Sequence, residues 1–167
     1  GMNSLRQASG QQLRWTQRGW FAPSYELRSA TGVFAVLRCL SWPSQRVAEG
    51  IAADGRWVIT GRRWLRGLPT IRRASADRES ATMKVHYGHV VITFSDRRQF
   101  SWKRTHWWSN QWLLRDSNGH LLAQAQVGLL RYSGEVNIQQ EAVTLRELPI
   151  LLLAGWYFIV GYGWNGW

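Results

Sequence analysis

The sequence predicts a mainly β domain, a barrel or sandwich of about twelve short strands followed by one wholly apolar helix. Three observations lead there. Most of the chain alternates apolar and polar residues with period two, the pattern of a strand with one buried and one wetter face. Turn signals separate the alternating runs at the ~8–12-residue spacing of all-β domains. After Glu147 the alternation stops, and no charged residue follows through Trp167.

Taken in order, strands are expected near 11–17, 24–29, 33–39, 45–53, 56–63, 69–74, 80–87, 89–95, 99–104, 111–115, 120–127 and 134–140. Trp57, Ile59 and Gly61 alternate with Val58, Thr60 and Arg62; Met83, Val85 and Tyr87 alternate with Lys84 and His86. The same pattern returns at Val90, Ile92 and Phe94, at Phe100 and Trp102, at Leu121, Ala123, Ala125 and Val127, and at Val136 and Ile138. Asp54-Gly55 is a two-residue hairpin signal. Tyr87-Gly88, Asp96-Arg97-Arg98, Ser117-Asn118-Gly119 and Ser133-Gly134 mark further turns. Gly55–Thr60 is echoed by Gly88–Thr93, 33 residues later, which reads as a recurring hairpin form.

The last element differs in kind. Leu148–Val160 has neither alternation nor a polar face, as expected of a helix buried on all sides, in a core or in lipid. Pro149 suits a first helical turn, where its missing N–H costs nothing. Glu147 suits the positive end of the helix dipole. The helix is placed within 147–163. Its clearly apolar 13 residues would span about 20 Å, short of a bilayer, so a core helix is expected ahead of a membrane anchor.

The chain reads as one domain, 11–167, behind a polar segment, 1–10, in which Gly1 before Met2 looks like a tag remnant. No apolar leader follows, so a cytoplasmic protein is expected, with the lone Cys39 reduced. A single cysteine excludes an internal disulfide and a multi-cysteine zinc site.

Asp54-Gly55-Arg56-Trp57 opening a strand, the runs Asp96–Trp102 and Asp116–Leu121, and the apolar Leu148–Val160 together resemble the tubby C-terminal-like superfamily. That group includes the tubby domain, the phospholipid scramblases and the plant LURP-one-related proteins. The resemblance covers about residues 11–164. It implies a closed, roughly twelve-stranded antiparallel barrel around a central hydrophobic C-terminal helix. Elementary physics agrees: a closed barrel has no unpaired edges, and twelve strands enclose a lumen too wide for strand side chains alone to fill. Tubby domains bind phosphoinositide head groups through basic residues. The acidic calcium segment and clustered cysteines of scramblases have no counterpart here.

Chemistry is sparse. There is no Gly-x-Ser-x-Gly elbow, Walker loop or dinucleotide fingerprint. Cys39 sits in an apolar run. His86 and His89 flank a turn and could face each other, but two ligands do not make a zinc site. Asp54, Asp96 and Asp116 occupy turn positions, where Asp accepts backbone hydrogen bonds. No cofactor or metal is expected.

Charge is the best functional signal. Lys and Arg number 21 against 10 Asp and Glu, and the excess lies in residues 1–104. Arg62, Arg63, Arg66, Arg72 and Arg73 cluster there beside Trp57 and Trp64. Guanidinium forks match phosphates, and interleaved aromatics suit a lipid interface or stacked bases. A solvated barrel face with Arg stems over apolar surface would give the same pattern. These five are the candidate anion-binding residues of a non-enzymatic module. The expected partner is anionic lipid at the inner membrane face, with nucleic acid second and an undetected hydrolase third.

Overall fold

A computed structural model describes residues 1–19, 23–41, 47–61, 69–128 and 133–161. A 3₁₀ turn, Leu5–Ala8, precedes twelve strands. They are β1 (Leu13–Arg18), β2 (Ser24–Ser29), β3 (Gly32–Ser41), β4 (Val47–Ala52), β5 (Gly55–Thr60) and β6 (Thr70–Arg73). Then come β7 (Glu79–His86), β8 (His89–Phe94), β9 (Gln99–Arg104), β10 (Gln111–Asp116), β11 (Leu121–Val127) and β12 (Ser133–Ile138). Each strand pairs antiparallel with its chain neighbours, and β1 pairs with β12, Leu13 opposite Val136 and Thr16 opposite Ser133. The sheet is therefore a closed up-and-down barrel, and the sandwich alternative falls. All twelve expected strands are present with ends shifted by a residue or two. The expected 56–63 ends at Thr60, and 62–63 lie outside the described residues.

Alternation sorts side chains between lumen and surface. Trp57 and Ile59 on β5, Val90 and Ile92 on β8, and Ala123, Ala125 and Val127 on β11 are buried. The outer faces carry Arg14 and Thr16 on β1, Glu26 and Arg28 on β2, and Lys84 on β7. The echoed segments Gly55–Thr60 and Gly88–Thr93 both form the second strand of a tight hairpin, with corresponding residues facing inward.

The lumen is filled by α1 (Leu148–Gly161), about 21 Å long. Every residue of it except Val160 is buried. Partners surround it. Trp156 stacks on Trp15 of β1 at 5.6 Å and meets Tyr25 of β2 edge-on. Phe158 meets Trp112 of β10. The indole N–H of Trp102 on β9 donates to the Leu151 carbonyl at 2.9 Å. Ala48, Gly50 and Ala52 are the inward residues of β4, so the helix comes close there; a Cβ on Gly50 would lie 3.0 Å from Leu153. Gly155 is required on the other side, where a Cβ would sit 2.2 Å from the Trp102 ring. No helix among the described residues is long and apolar enough to cross a membrane.

The meander gives the barrel two ends. The proximal end holds the start of α1 and the connections 30–31, 53–54, 74–78, 95–98, 117–120 and 139–147. The distal end holds the last turn of α1, the connections 87–88 and 105–110, and the strand ends at Arg18, Ser24, Ser41, Val47, Thr60, Thr70, Val127 and Ser133.

Candidate functional site

Of the five candidate arginines, Arg62, Arg63 and Arg66 lie outside the described residues. The described residues that flank them, Gly61 and Pro69, stand at the distal end. Arg72 and Arg73 are the last residues of β6, at the proximal end. These two also face opposite sides of the sheet. Arg72 pairs across the strand with Val58 and reaches over the following turn, donating to the carbonyls of Arg73, Ala74 and Ala76 at 3.4, 3.5 and 3.1 Å. Its role there is to clasp the turn. Arg73 pairs with Trp57 and lies over that indole, 5.1 Å from the ring centroid. It donates to the Asp54 carbonyl at 3.4 Å. Gly55, at φ 153°, makes room for it: a Cβ there would stand 2.6 Å from the guanidinium.

Arg73 lines a cleft of about 510 Å³ at the proximal mouth. Trp57, Phe94 and Ile150 are its apolar wall; Arg78, Arg98, Arg146, Glu79, Asp96 and Glu147 are its charges. Arg98 is the centre of a proximal latch. It donates to Asp96 at 2.8 Å and to the buried carboxylate of Glu147. Glu147 in turn starts α1, its carbonyl accepting from the Leu151 N–H. The hydrogen bonds that Arg98 donates to Glu147 and Asp96 hold it firmly protonated. Those from the Arg98 backbone and side chain hold Asp96 below the usual carboxylate range. The latch depends on a strained turn. Arg97 N–H bonds the Phe94 carbonyl and Phe94 N–H bonds the Arg98 carbonyl, with Arg97 at φ 73°. The turn after β10 has the same bonds between Asp116, Gly119 and His120, with Gly119 at φ 82°. Only the second uses the residue that this left-handed position favours. Both cleft carboxylates that touch Arg98 are committed to the latch, which gives the hydrolase alternative no free pair there.

Charge is divided between the ends. The proximal connections contain Asp54, Asp77, Asp96, Glu141 and Glu147 beside Arg78, Arg97, Arg98 and Arg146. Among the described residues the distal connections contain no Asp or Glu. At the distal strand ends stand Arg18, Arg38 and Lys103, all exposed. Among the described residues, Arg38 and Lys103 have no ion-pair partner, while Arg18 approaches Glu26 at 3.5 Å. Arg104 lies over Tyr87 and Trp112, at 5.3 and 5.6 Å. Sequence reading missed this division because it grouped arginines by nearness along the chain. The signal was available once alternate connections were assigned to alternate ends.

The remaining reactive groups are accounted for. Cys39 is buried, and desolvation pushes its thiol up to about 12, so it is not a nucleophile at neutral pH. His86 and His89 do face each other across the Tyr87-Gly88 turn, rings stacked at 5.6 Å. Burial, with His86 and Lys103 nearby, lowers the pKa of His89. His120 sits 3.2 Å from Asp116, and His106 stacks on Trp108. Among the described residues no group of His, Cys, Asp or Glu could hold a metal ion. Compared with known proteins, the chain matches no family model, no curated protein and no solved structure.

Proposed function

We propose that this protein is a non-enzymatic binding module for an anionic surface, the phospholipid head groups of a membrane, and that its barrel is of the tubby C-terminal-like kind. The closed twelve-stranded barrel around an apolar helix supports the structural half of that reading. One observation carries the functional half. Among the described residues the distal connections hold no acid, and Arg38 and Lys103 at the distal strand ends are exposed with no ion-pair partner, in a chain of net charge +11. A surface with an excess of one sign attracts the opposite sign over about 8 Å at physiological salt. Each basic residue near an anionic leaflet contributes about 1 kcal/mol. A cytoplasmic protein would meet such lipid at the inner membrane face.

Co-sedimentation with vesicles tests this. The protein should bind phosphatidylserine-containing vesicles, ignore pure phosphatidylcholine, and release as salt rises. Replacing Arg62, Arg63 and Arg66 together by Gln should weaken binding about a hundredfold. Arg73→Gln, at the other end, should leave it unchanged. No binding at low salt overturns the proposal. Tighter binding to random single-stranded DNA than to acidic vesicles moves the reading to nucleic acid.

A further inference from the structure

The distal end differs from the proximal end in a second, independent way. Four large hydrophobic side chains are exposed among the described residues: Leu40 at 55%, Tyr87 at 58%, Trp107 at 72% and Trp108 at 66%. All four lie at the distal end, on the penultimate residue of β3, in the β7–β8 turn and in the β9–β10 connection. Among the described residues the connections at this end contain Tyr87, Trp107 and Trp108. Those at the proximal end contain none.

The two exposed indoles are held in place. Within 105–110, Thr105 N–H bonds the Gln111 carbonyl and Ser109 N–H bonds the His106 carbonyl, at 3.0 and 2.9 Å. The Thr105 hydroxyl donates to Ser109 Oγ at 2.8 Å, and that oxygen accepts from Gln111 N–H at 3.0 Å. His106 stacks on Trp108 at 4.7 Å, and Trp107 meets Trp108 edge-on at 5.4 Å. This loop spends its internal hydrogen bonds on presenting two indoles to water, where each carries an apolar area that gains from being covered.

We propose that the barrel docks end-on, with Trp107 and Trp108 inserted into the interfacial layer of an anionic bilayer. Leu40 and Tyr87 share the contact, and the Arg98–Glu147 latch faces away. This rests on the lipid reading above and adds which surface is buried and by which side chains. Indoles and phenols favour the membrane interface, where ring and N–H or O–H are both satisfied. Arg18, Arg38 and Lys103 stand at the distal ends of β1, β3 and β9, spread around the same rim, where an end-on contact brings them to the head groups. The aliphatic Leu40 favours lipid over stacked bases.

Two measurements on the full chain with phosphatidylserine–phosphatidylcholine vesicles test it. The double variant Trp107→Ser, Trp108→Ser should bind at least tenfold more weakly with an unchanged melting temperature. A nitrobenzoxadiazole label on His106→Cys should shift blue and be quenched by spin-labelled lipid, whereas the same label on Ser75→Cys should do neither; Cys39 is too buried to compete for it. If wild type ignores acidic vesicles, the lipid reading itself is lost and this inference with it. If wild type binds but the double variant binds equally, or only the label at position 75 responds, the docking end is wrong while the lipid reading stands.

Discussion

The two ends of the barrel are built from the same hairpin chemistry and present opposite surfaces. At the proximal end, acids have structural work. Asp116 accepts from the N–H groups of Asn118 and His120, Asp96 accepts from Arg98, and Glu147 anchors the first turn of α1 through the same guanidinium. Arg72 is likewise spent on turn carbonyls. At the distal end, among the described residues, the connections hold no acid, and exposed indoles are organised outward rather than folded in. The contrast teaches that a charge count says little until each cation is assigned an end and a partner. At the proximal end Arg72 and Arg98 stabilise the fold; at the distal end Arg38 and Lys103 have no ion-pair partner among the described residues.

Substitutions can break or sharpen this contrast. The largest effect should come from between the two ends. Gly155→Ala forces a methyl group into the Trp102 ring and threatens its bond to the Leu151 carbonyl, costing about 3 kcal/mol in denaturant unfolding. Both ends should then fail together, because both are fastened to the same helix. An unchanged midpoint would mean that the helix is less tightly enclosed than described.

Next is the latch. Arg98→Ala leaves the buried Glu147 carboxylate without its charged donor and should cost about 2 kcal/mol, a value tempered by the half-exposed guanidinium. Vesicle binding by the folded protein should be unaffected. A loss of binding without a loss of stability would erase the division of labour between the ends. Arg97→Gly acts in the opposite direction. It removes a side chain from a left-handed position and should stabilise by about 1 kcal/mol, read as a raised melting temperature.

The smallest effect is on pH. Asp96 has a depressed folded-state pKa, so its contribution is complete above the ordinary carboxylate range and fades as pH falls through the depressed value. Wild type should therefore lose melting temperature on acidification through that range, and Asp96→Asn should lose less. Equal losses would remove Asp96 from the latch.

Much of the fold was legible along the chain. Trp57 and Ile59, Val90 and Ile92, and Ala123, Ala125 and Val127 point inward as their alternation requires, because successive strand side chains must face opposite sides. The candidate site was legible only in part. Arg72 and Arg73 were grouped as neighbours, yet the same alternation sends one to the outer face and one to the mouth over Trp57. The clasp made by Arg72 and the recess that Gly55 leaves for Arg73 require the neighbouring turns in place, and no spacing announces them.

The sequence by itself determined where the strands run, which faces are apolar, and that the one element without a polar face must be buried. These are local consequences of side-chain periodicity and turn chemistry. Tertiary structure decided that the sheet closes, with β12 paired to β1, and that α1 fills the lumen against Trp15, Trp102 and Trp112. It also decided which charges share an end. In an up-and-down barrel every second connection returns to the same rim, so residues far apart in the chain become neighbours and adjacent ones are separated. That sorting depends on the order in which all twelve strands pair, a property no single segment contains.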